Sequence, residues 1–385
     1  MSIILFDHTN RHQLFPFTKN RSVASLRFGI FTIAERWERL TGMQVFVHTS
    51  PYLQNLYGYP PAGEHIWVDA SIIPDSALLD AIKSISKNHC WADEQGLILG
   101  KADIVFEDFD SAQSVQYFEV VHDHGSVQRI GYPWQLLSFH DQILRFDFNL
   151  LTHGKTSLAI SSTNRCSKTA HIFIEPGAID EHAILNASTG PIYIGKNAIV
   201  MEGSAIRGPF ALGDHSVLKM NSRIYGATTL GPYCMGGGEI KNSIMMGYSN
   251  KAHDGYMGDA VIGEWCNWGA GTSNSNLKNT AGIVQVWSEA DQEYLPAGYK
   301  CGVIMGDYSR TAINSSINTG SVIGVSCNVF GEGLLPNIIP DFSWGCKGVK
   351  YKTDKALVDI DNWKKLKKQS LSEIEKQILI TLSAK

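Results

Sequence analysis

The sequence predicts an α/β domain over residues 1–155, a parallel β-helix of hexapeptide repeats over 156–345 and a helical C-terminal cap over 346–385. Three observations predict it. Strand-like and helix-like patterns alternate through the first part. Apolar residues then recur at every sixth position. Past residue 353 the apolar spacing becomes helical.

In the first part, Ser2–Phe6 is a short apolar strand. Ala24–Leu40 carries helical spacing in Leu26, Ile30, Ile33, Trp37 and Leu40. Gln44–His48 is β-rich, and His65–Val68 is a further strand ending at Asp69. Asp75 is placed to cap a helix running through Ile85, with Leu78, Leu79 and Ile82 on one face. Strands alternating with helices predict a parallel sheet.

Residues 172–340 are rich in Gly, Asn and Ser. Ile194, Val200, Ile206, Leu212, Leu218, Ile224 and Leu230 follow one another at intervals of six, and the register resumes at Met305, Ile317, Ile323, Val329 and Leu335. A helix repeats at 3.6 residues and a strand at two, so neither produces this period. A hexapeptide period is that of a parallel β-helix, in which each short strand turns one apolar residue inward and Gly or Asn takes corners of positive φ. The stretches Gly236–Gly263 and Thr280–Tyr299 break the register and are expected to be loops that carry function.

At the C-terminus, Asp354 is expected to cap a helix that includes Leu357, Ile360, Trp363 and Leu366. Ser370 and Glu373 fit a capping box for a second helix. Two such helices suit the covering that the last turn of a solenoid needs. Residues 350–385 hold nine lysines against five Asp and Glu, about +4, which leaves the rest of the chain near −8. A solvated helix face accounts for that local excess.

The composition narrows the function. Apolar residues make up 44% and charged residues 18%, enough for a sizeable core, and the net charge of −4 offers no global attraction for nucleic acid. No apolar run approaches the ~18 residues of a membrane span. Met1–Phe6 lacks a basic flank and is too short for a secretory leader. The seven cysteines, Cys90, Cys166, Cys234, Cys266, Cys301, Cys327 and Cys346, form no CxxC pair. A reduced, cytoplasmic protein is expected, without a disulfide framework or a zinc ribbon.

The informative motif lies in the repeats. Lys251-Ala-His253-Asp-Gly-Tyr256-Met-Gly-Asp259-Ala-Val-Ile-Gly263 is followed by Asn267-Trp-Gly-Ala270-Gly-Thr272-Ser-Asn-Ser-Asn276. Upstream, Lys241 stands twelve residues before His253 within Glu239-Ile-Lys241, and Arg223 stands eighteen before Lys241. The spacing resembles that of the acetyltransferases of the GlmU family, a resemblance that implies transfer of an acetyl group to a sugar amine. Such a transfer needs a base for the amine proton, and an unperturbed imidazole titrates near neutrality. A phosphorylated sugar needs cations, which Arg and Lys supply. The resemblance implies His253 as the candidate base, and Arg223 and Lys241, where the family has a substrate arginine and lysine, as candidate phosphate ligands. Positions ~18 apart stack on successive turns of a solenoid, so these two cations are expected to face one pocket. Tyr256 and Asn276 offer hydrogen bonds to sugar hydroxyls or to the amine.

This long ungapped spacing resembles the acetyltransferase half of the GlmU family, the bifunctional glucosamine-1-phosphate acetyltransferases and N-acetylglucosamine-1-phosphate uridylyltransferases. That family's stretch runs roughly K-x-x-H-L-x-Y-x-G-D-A-x-I-G, then N-x-G-A-G-T-x-x-x-N-Y-D-G. Here Leu277-Lys278-Asn279 stands in place of the final Y-D-G. The resemblance implies a left-handed β-helix, a homotrimer, and acetyl-CoA lying along the solenoid near Ala270.

A looser resemblance covers the N-terminus. Sugar nucleotidyltransferases begin with a strand, L-A-A-G-x-G-T-R and P-L-T-x-x-x-P-K-P, and the glycine-rich loop cradles nucleotide phosphates. The corresponding residues are Leu5-Phe-Asp-His-Thr-Asn-Arg11 and Pro16-Phe-Thr18-Lys-Asn-Arg-Ser22-Val23, without the glycines. Arg11, Arg21 or Arg27 is a candidate for the lost charge. Trp67-Val-Asp69-Ala-Ser-Ile-Ile resembles G-D-V-P-L-I, whose aspartate binds Mg²⁺. The resemblance thus implies a Rossmann-like nucleotidyltransferase domain with Arg11 and Asp69 at the nucleotide and Asp69 at the metal. Tyr132-Pro-Trp134-Gln-Leu-Leu resembles the linker that precedes the solenoid in such proteins. His122 and His124 suit a metal by type, but lack a third ligand nearby and are taken as loop residues.

Three readings follow. In the first, the solenoid acetylates a sugar phosphate, glucosamine 1-phosphate, with acetyl-CoA, and the N-terminal domain couples the product to UTP with Mg²⁺. In the second, the acetyltransferase is retained and the N-terminal domain binds a ligand without catalysis. In the third, the chain is a trimeric scaffold. None involves nucleic acid or a membrane.

Overall fold

The computed structural model describes residues 1–123 and 125–384. The chain forms two compact units. The first comprises residues 1–14, 20–26 and 31–132, and the second comprises residues 15–19, 27–30 and 133–385.

The first unit is a Rossmann-like α/β layer around a six-stranded sheet. Its strands are β1 (Ile3–Phe6), β2 (Val45–His48), β3 (His65–Asp69), β4 (His89–Asp93), β5 (Gly96–Ala102) and β6 (Val120–Asp123), in the order β2-β1-β3-β5-β4-β6. β1 runs parallel to β2 and β3. The sheet is mixed rather than parallel, because β5 is antiparallel to both β3 and β4. Only Glu94 and Gln95 separate β4 from β5. Two residues can close a hairpin but cannot make the crossover that parallel strands require. Trp67 stacks on Phe109 at 4.2 Å, within a buried cluster that includes Ile4, Phe6, Leu97 and Phe106.

The helical spacing of Ala24–Leu40 resolves into two elements. Val23–Ser25 is a single 3₁₀ turn, and the helix α1 begins later, at Ile33–Thr41. Gly29 at φ 74° interrupts any helix there. Thr32 starts the real one: its hydroxyl accepts from the Glu35 amide at 3.1 Å, and the Glu35 carboxylate accepts from the Thr32 amide at 2.7 Å. A short helix, α2 (Pro51–Gln54), follows β2. Asp75 caps α3 (Ser76–Ser84) through the Leu78 amide at 2.9 Å; Leu78 and Ile82 are buried and Leu79 is half-buried.

The second unit opens with a helix the sequence reading did not contain, α4 (Gln135–Thr152). Its buried His140 and Asp147 accept the amides of Gly29 and Ile30 at 3.0 and 2.8 Å. A parallel β-solenoid follows, with three short strands per turn. Early strands pair at offsets of eighteen, as in Ile192 with Phe210, Phe210 with Thr228 and Val217 with Met235. All twelve residues of the six-residue register are at most 3% exposed.

Gly236–Gly263 is not a loop. It continues the stack as short strands between Met235 and Glu264. The turns shorten: Arg223 pairs with Glu239, Met235 with Asn250 and Ile244 with Val261. Shorter corners shift the apolar period, while Ile240, Met245, Met257 and Ile262 still fill the core. Thr280–Tyr299 does leave the solenoid, as an antiparallel hairpin of Gln285–Ser288 with Glu293–Pro296. Some corners carry large residues at positive φ. His215, Tyr233, Tyr248 and Trp265, at 58°, 58°, 55° and 60°, stack in a ladder with centroid spacings of 4.8, 5.1 and 4.3 Å. Stacking offsets the cost of the left-handed backbone.

Two helices end the chain, α5 (Thr353–Lys365) and α6 (Glu373–Ser383). Their starts differ from expectation. Lys352, not Asp354, occupies the N-cap of α5, and the capping box of α6 is Ser372 with Glu375 rather than Ser370 with Glu373. The two Ser-x-x-Glu frames overlap, and burial of Leu371 just before the helix selects the later one. Part of the basic excess is internal, since Lys364 is buried against Glu375 at 2.6 Å. All seven cysteines are free. Among the described residues, no helix is long and apolar enough to cross a membrane.

Candidate active site

One outer face of the solenoid gathers most of the polar residues singled out from the sequence. On it, Arg223–Tyr225, Glu239–Lys241 and Tyr256–Gly258 are adjacent parallel strands. The middle residues Ile224, Ile240 and Met257 point into the core, which turns their neighbours outward. Arg223 and Lys241 share this face but are not direct cross-strand partners. The turn between them is two residues short, so Arg223 lies opposite Glu239, and Lys241 lies opposite Tyr225.

The face is knit by hydrogen bonds. Tyr225 donates to Glu239 at 2.6 Å, and the Lys241 ammonium lies 5.8 Å from the Tyr225 ring centre. Asn276 donates to the Tyr256 hydroxyl at 3.1 Å and to the Asp259 carboxylate. Asp259 also accepts from Asn242 at 2.7 Å. The bond to Glu239 pushes the Tyr225 hydroxyl up to about 12, and burial does the same to Tyr256. Both tyrosines are therefore neutral hydrogen-bonding groups near neutral pH. Glu239 and Asp259 were quoted only as part of motifs in the sequence; their role as acceptors that orient Tyr225 and Asn276 emerges from the fold.

His253 is exposed, in the turn between Asn250–Lys251 and Tyr256–Gly258. Its neighbour Asp254 comes within 3.9 Å of Arg223, which brings this turn to the edge of the polar face. Tight stacking of the turns requires glycine. A Cβ on Gly237 would lie 2.3 Å from the Ala252 carbonyl oxygen, and one on Gly255, at φ 120°, would lie 2.1 Å from the Thr272 oxygen. Ala270 sits at a different corner, where its carbonyl accepts the Asn314 amide at 2.7 Å.

Sequence reasoning missed the role of Lys251. It is 2% exposed and pairs with Gly236, whose Cβ position is walled by Leu218, Leu230 and Ile240. Its ammonium donates to the carbonyls of Gly237 at 2.9 Å and His253 at 2.5 Å. A lysine thus occupies an inward position and fastens the histidine turn from below. Burial pushes this amine down to about 8. Because the folded state releases the proton before the unfolded chain does, this site's contribution to stability rises with pH between about 8 and 10.5. Melting curves of the native chain and Lys251→Met across that range are expected to show the native chain gaining on the variant.

The first unit holds its predicted residues differently. Arg11, 5% exposed, is bonded to Asp7 at 3.0 Å and to the Arg21 carbonyl at 3.2 Å. Asp7 also accepts from Ser22 Oγ, the Val23 amide and Thr49 Oγ1 at 2.7, 2.9 and 2.5 Å. The Arg27 guanidinium donates to the Ile30 carbonyl at 2.5 Å in the second unit. Asp69 is fully buried, accepts from the Ser71 amide and hydroxyl at 2.8 Å each, and lies 3.2 Å from Arg129. Arg129 also binds Asp93 through both of its terminal nitrogens. The residues around Asp69 do not fit Mg²⁺, because a fixed guanidinium already bridges the two carboxylates.

His122 is exposed on β6, with its Nε2 3.0 Å from Nδ1 of His89, and His124 lies outside the described residues. Among the described residues, no group of three or more His, Cys, Asp or Glu is placed to hold a metal ion.

Residues 3–156 match the family model for sugar nucleotidyl transferases. The chain is 35% identical over 97 residues to the bifunctional protein GlmU of Methanocaldococcus jannaschii, covering 25% of this chain and 23% of that one. It is 33% identical over 97 residues to a bifunctional sugar-1-phosphate nucleotidylyltransferase/acetyltransferase of Sulfurisphaera tokodaii, covering 25% and 24%. The GlmU protein of Methanococcus maripaludis strain C5 is 28% identical over 241 residues, covering 60% of this chain and 48% of that one. The chain spans less than half the length of each of these relatives. Residues 3–156 are thus similar to the sugar nucleotidyl transferases, and the chain is similar to the GlmU proteins.

Proposed function

We propose that the solenoid transfers an acetyl group from acetyl-CoA to the amine of a sugar phosphate, with glucosamine 1-phosphate as the acceptor. The observation that carries this reading is the polar face. Arg223, Lys241 and Tyr256 stand on adjacent strands, Asn276 is bonded to Tyr256, and the His253 turn reaches the same edge through Asp254. In this reading Arg223 and Lys241 hold the phosphate. Tyr256 and Asn276 orient the sugar, and His253 takes the proton that the amine loses as it attacks the thioester. The amine nitrogen bonds to the acetyl carbon and CoA leaves as its thiol. Acetyl-CoA runs along the solenoid past Ala270 of a homotrimer, in a chain organised as domains 1–155, 156–345 and 346–385.

Coupling of the product to UTP is the bifunctional form of this proposal, supported by the family match and by the named activities of the relatives. The reading in which the N-terminal domain binds a ligand without catalysis is favoured by Arg129, which bridges Asp69 and Asp93.

Steady-state kinetics of Lys241→Ala test the solenoid assignment. A charge-assisted contact contributes ~1.5–3 kcal/mol, so KM for glucosamine 1-phosphate is expected to rise about tenfold to a hundredfold. KM for acetyl-CoA is expected to stay unchanged. An equal rise in both would contradict the phosphate role.

A further inference from the structure

The polar face of the solenoid does not end at Arg223. Upstream, Ile184–Asn186 and Ala205–Arg207 add two parallel strands to the same sheet, with Ile184 opposite Ala205, Ala205 opposite Arg223 and Asn186 opposite Arg207. The middle residues Leu185 and Ile206 are at most 1% exposed and face the core, which turns their neighbours outward. Those neighbours, with Arg223 and Tyr225, line an open groove of about 400 Å³, the size of a small-molecule site.

The groove suits an anion that carries an apolar part. Among the described residues that line it, the charged ones are Arg207 and Arg223, with no carboxylate. Among the described residues, no side chain pairs with the exposed Arg207 guanidinium. The carboxylates of Glu239 and Asp254 stay 3.8 and 3.9 Å from Arg223. Both guanidinium groups are thus open to phosphate, which arginine binds through paired N–H groups. Their strands are neighbours, ~4.8 Å apart, which puts both within reach of two phosphates that share one bridging oxygen. The floor is apolar: Ala205 is small and half-buried, and Ile184 is 48% exposed. The Asn186 side-chain oxygen accepts the Ser188 amide at 3.0 Å, which leaves its NH₂ to donate to a ligand.

A sugar monophosphate held by Arg223 and Lys241 leaves this groove unused. We propose that the groove extends the acceptor site to amino sugars carrying a nucleoside diphosphate, with Arg207 on the distal phosphate and the nucleoside over Ala205 and Ile184. The proposal rests on the reading that puts the acceptor's first phosphate at Arg223 and Lys241. Glucosamine 1-phosphate is then the smallest member of the acceptor class. The reacting atoms are unchanged. The amine nitrogen bonds to the acetyl carbon, the C–S bond breaks, and the amine proton passes by way of His253 to the departing thiolate.

CoA release by the full chain, measured with UDP-glucosamine and with glucosamine 1-phosphate, tests it. UDP-glucosamine is expected to show a KM about tenfold lower, for the added charge-assisted contact. Arg207→Ala changes an exposed side chain. It is expected to remove that advantage, raising KM for UDP-glucosamine about tenfold more than KM for glucosamine 1-phosphate. Lys241→Ala is expected to raise both alike. Release with glucosamine 1-phosphate alone would overturn the proposal and leave the acetyl-transfer reading standing, whereas release with neither acceptor would overturn both. An Arg207→Ala effect equal on the two acceptors, or one that falls on KM for acetyl-CoA, would also overturn the proposal.

Discussion

Replacing His253 with alanine is expected to lower the rate of acetyl transfer by about 10²–10⁴-fold, the contribution of a positioned general base, with no change in fold. The two halves of that expectation rest on different atoms. The imidazole is exposed. What fastens the turn is the His253 backbone carbonyl, held by Lys251, and alanine retains it. A variant that melts with the native chain but transfers acetyl groups at the native rate would remove His253 from the reaction. Lys251→Met acts on the same turn from inside the solenoid, and differs from His253→Ala in altering the pH dependence of stability.

The second large effect lies in the first unit. Asp7→Ala is expected to destabilise that unit by about 3–5 kcal/mol, as removal of one partner of a buried ion pair does. Asp7 and Arg11 are each 5% exposed, and the carboxylate also accepts from Ser22, Val23 and Thr49. Its loss leaves a buried guanidinium facing an empty space and several donors without an acceptor. Denaturant unfolding followed by tryptophan fluorescence measures the loss through the buried Trp37 and Trp67 of the same unit. A loss below about 1 kcal/mol would show that the loop is open to solvent and free to rearrange around a ligand.

The solenoid was legible because its signal is local and repeated. Each of Ile194, Val200 and Ile206 is inward for the same reason, and six-residue spacing states that reason directly. The register of Gly236–Gly263 was not legible. Corners shortened by one to three residues erase the period without disturbing the stack, and only the pairing of Arg223 with Glu239 reveals the offset. That offset separates Arg223 from Lys241 by a diagonal step, although the motif spacing suggested direct stacking.

Other features depend on contacts remote in sequence. Arg129 lies sixty residues from Asp69, and no motif links them. The helix α4 follows the Tyr132-Pro-Trp134 segment and buries His140 and Asp147, polar residues that do not mark a buried helix face in a sequence. Thr32 and Glu35 did carry a capping signal, but the longer helical spacing from Leu26 onward obscured it, since Leu26 and Ile30 are buried for tertiary reasons.

The most direct test of the central claim is release of CoA thiol from acetyl-CoA by the native chain, with glucosamine 1-phosphate as acceptor and glucosamine 6-phosphate alongside. The account predicts release that requires an amino-sugar phosphate, is fastest with the 1-phosphate and yields its N-acetyl derivative. Absence of release with both phosphosugars would contradict it and leave the polar face of Arg223, Lys241 and Tyr256 without the proposed substrate.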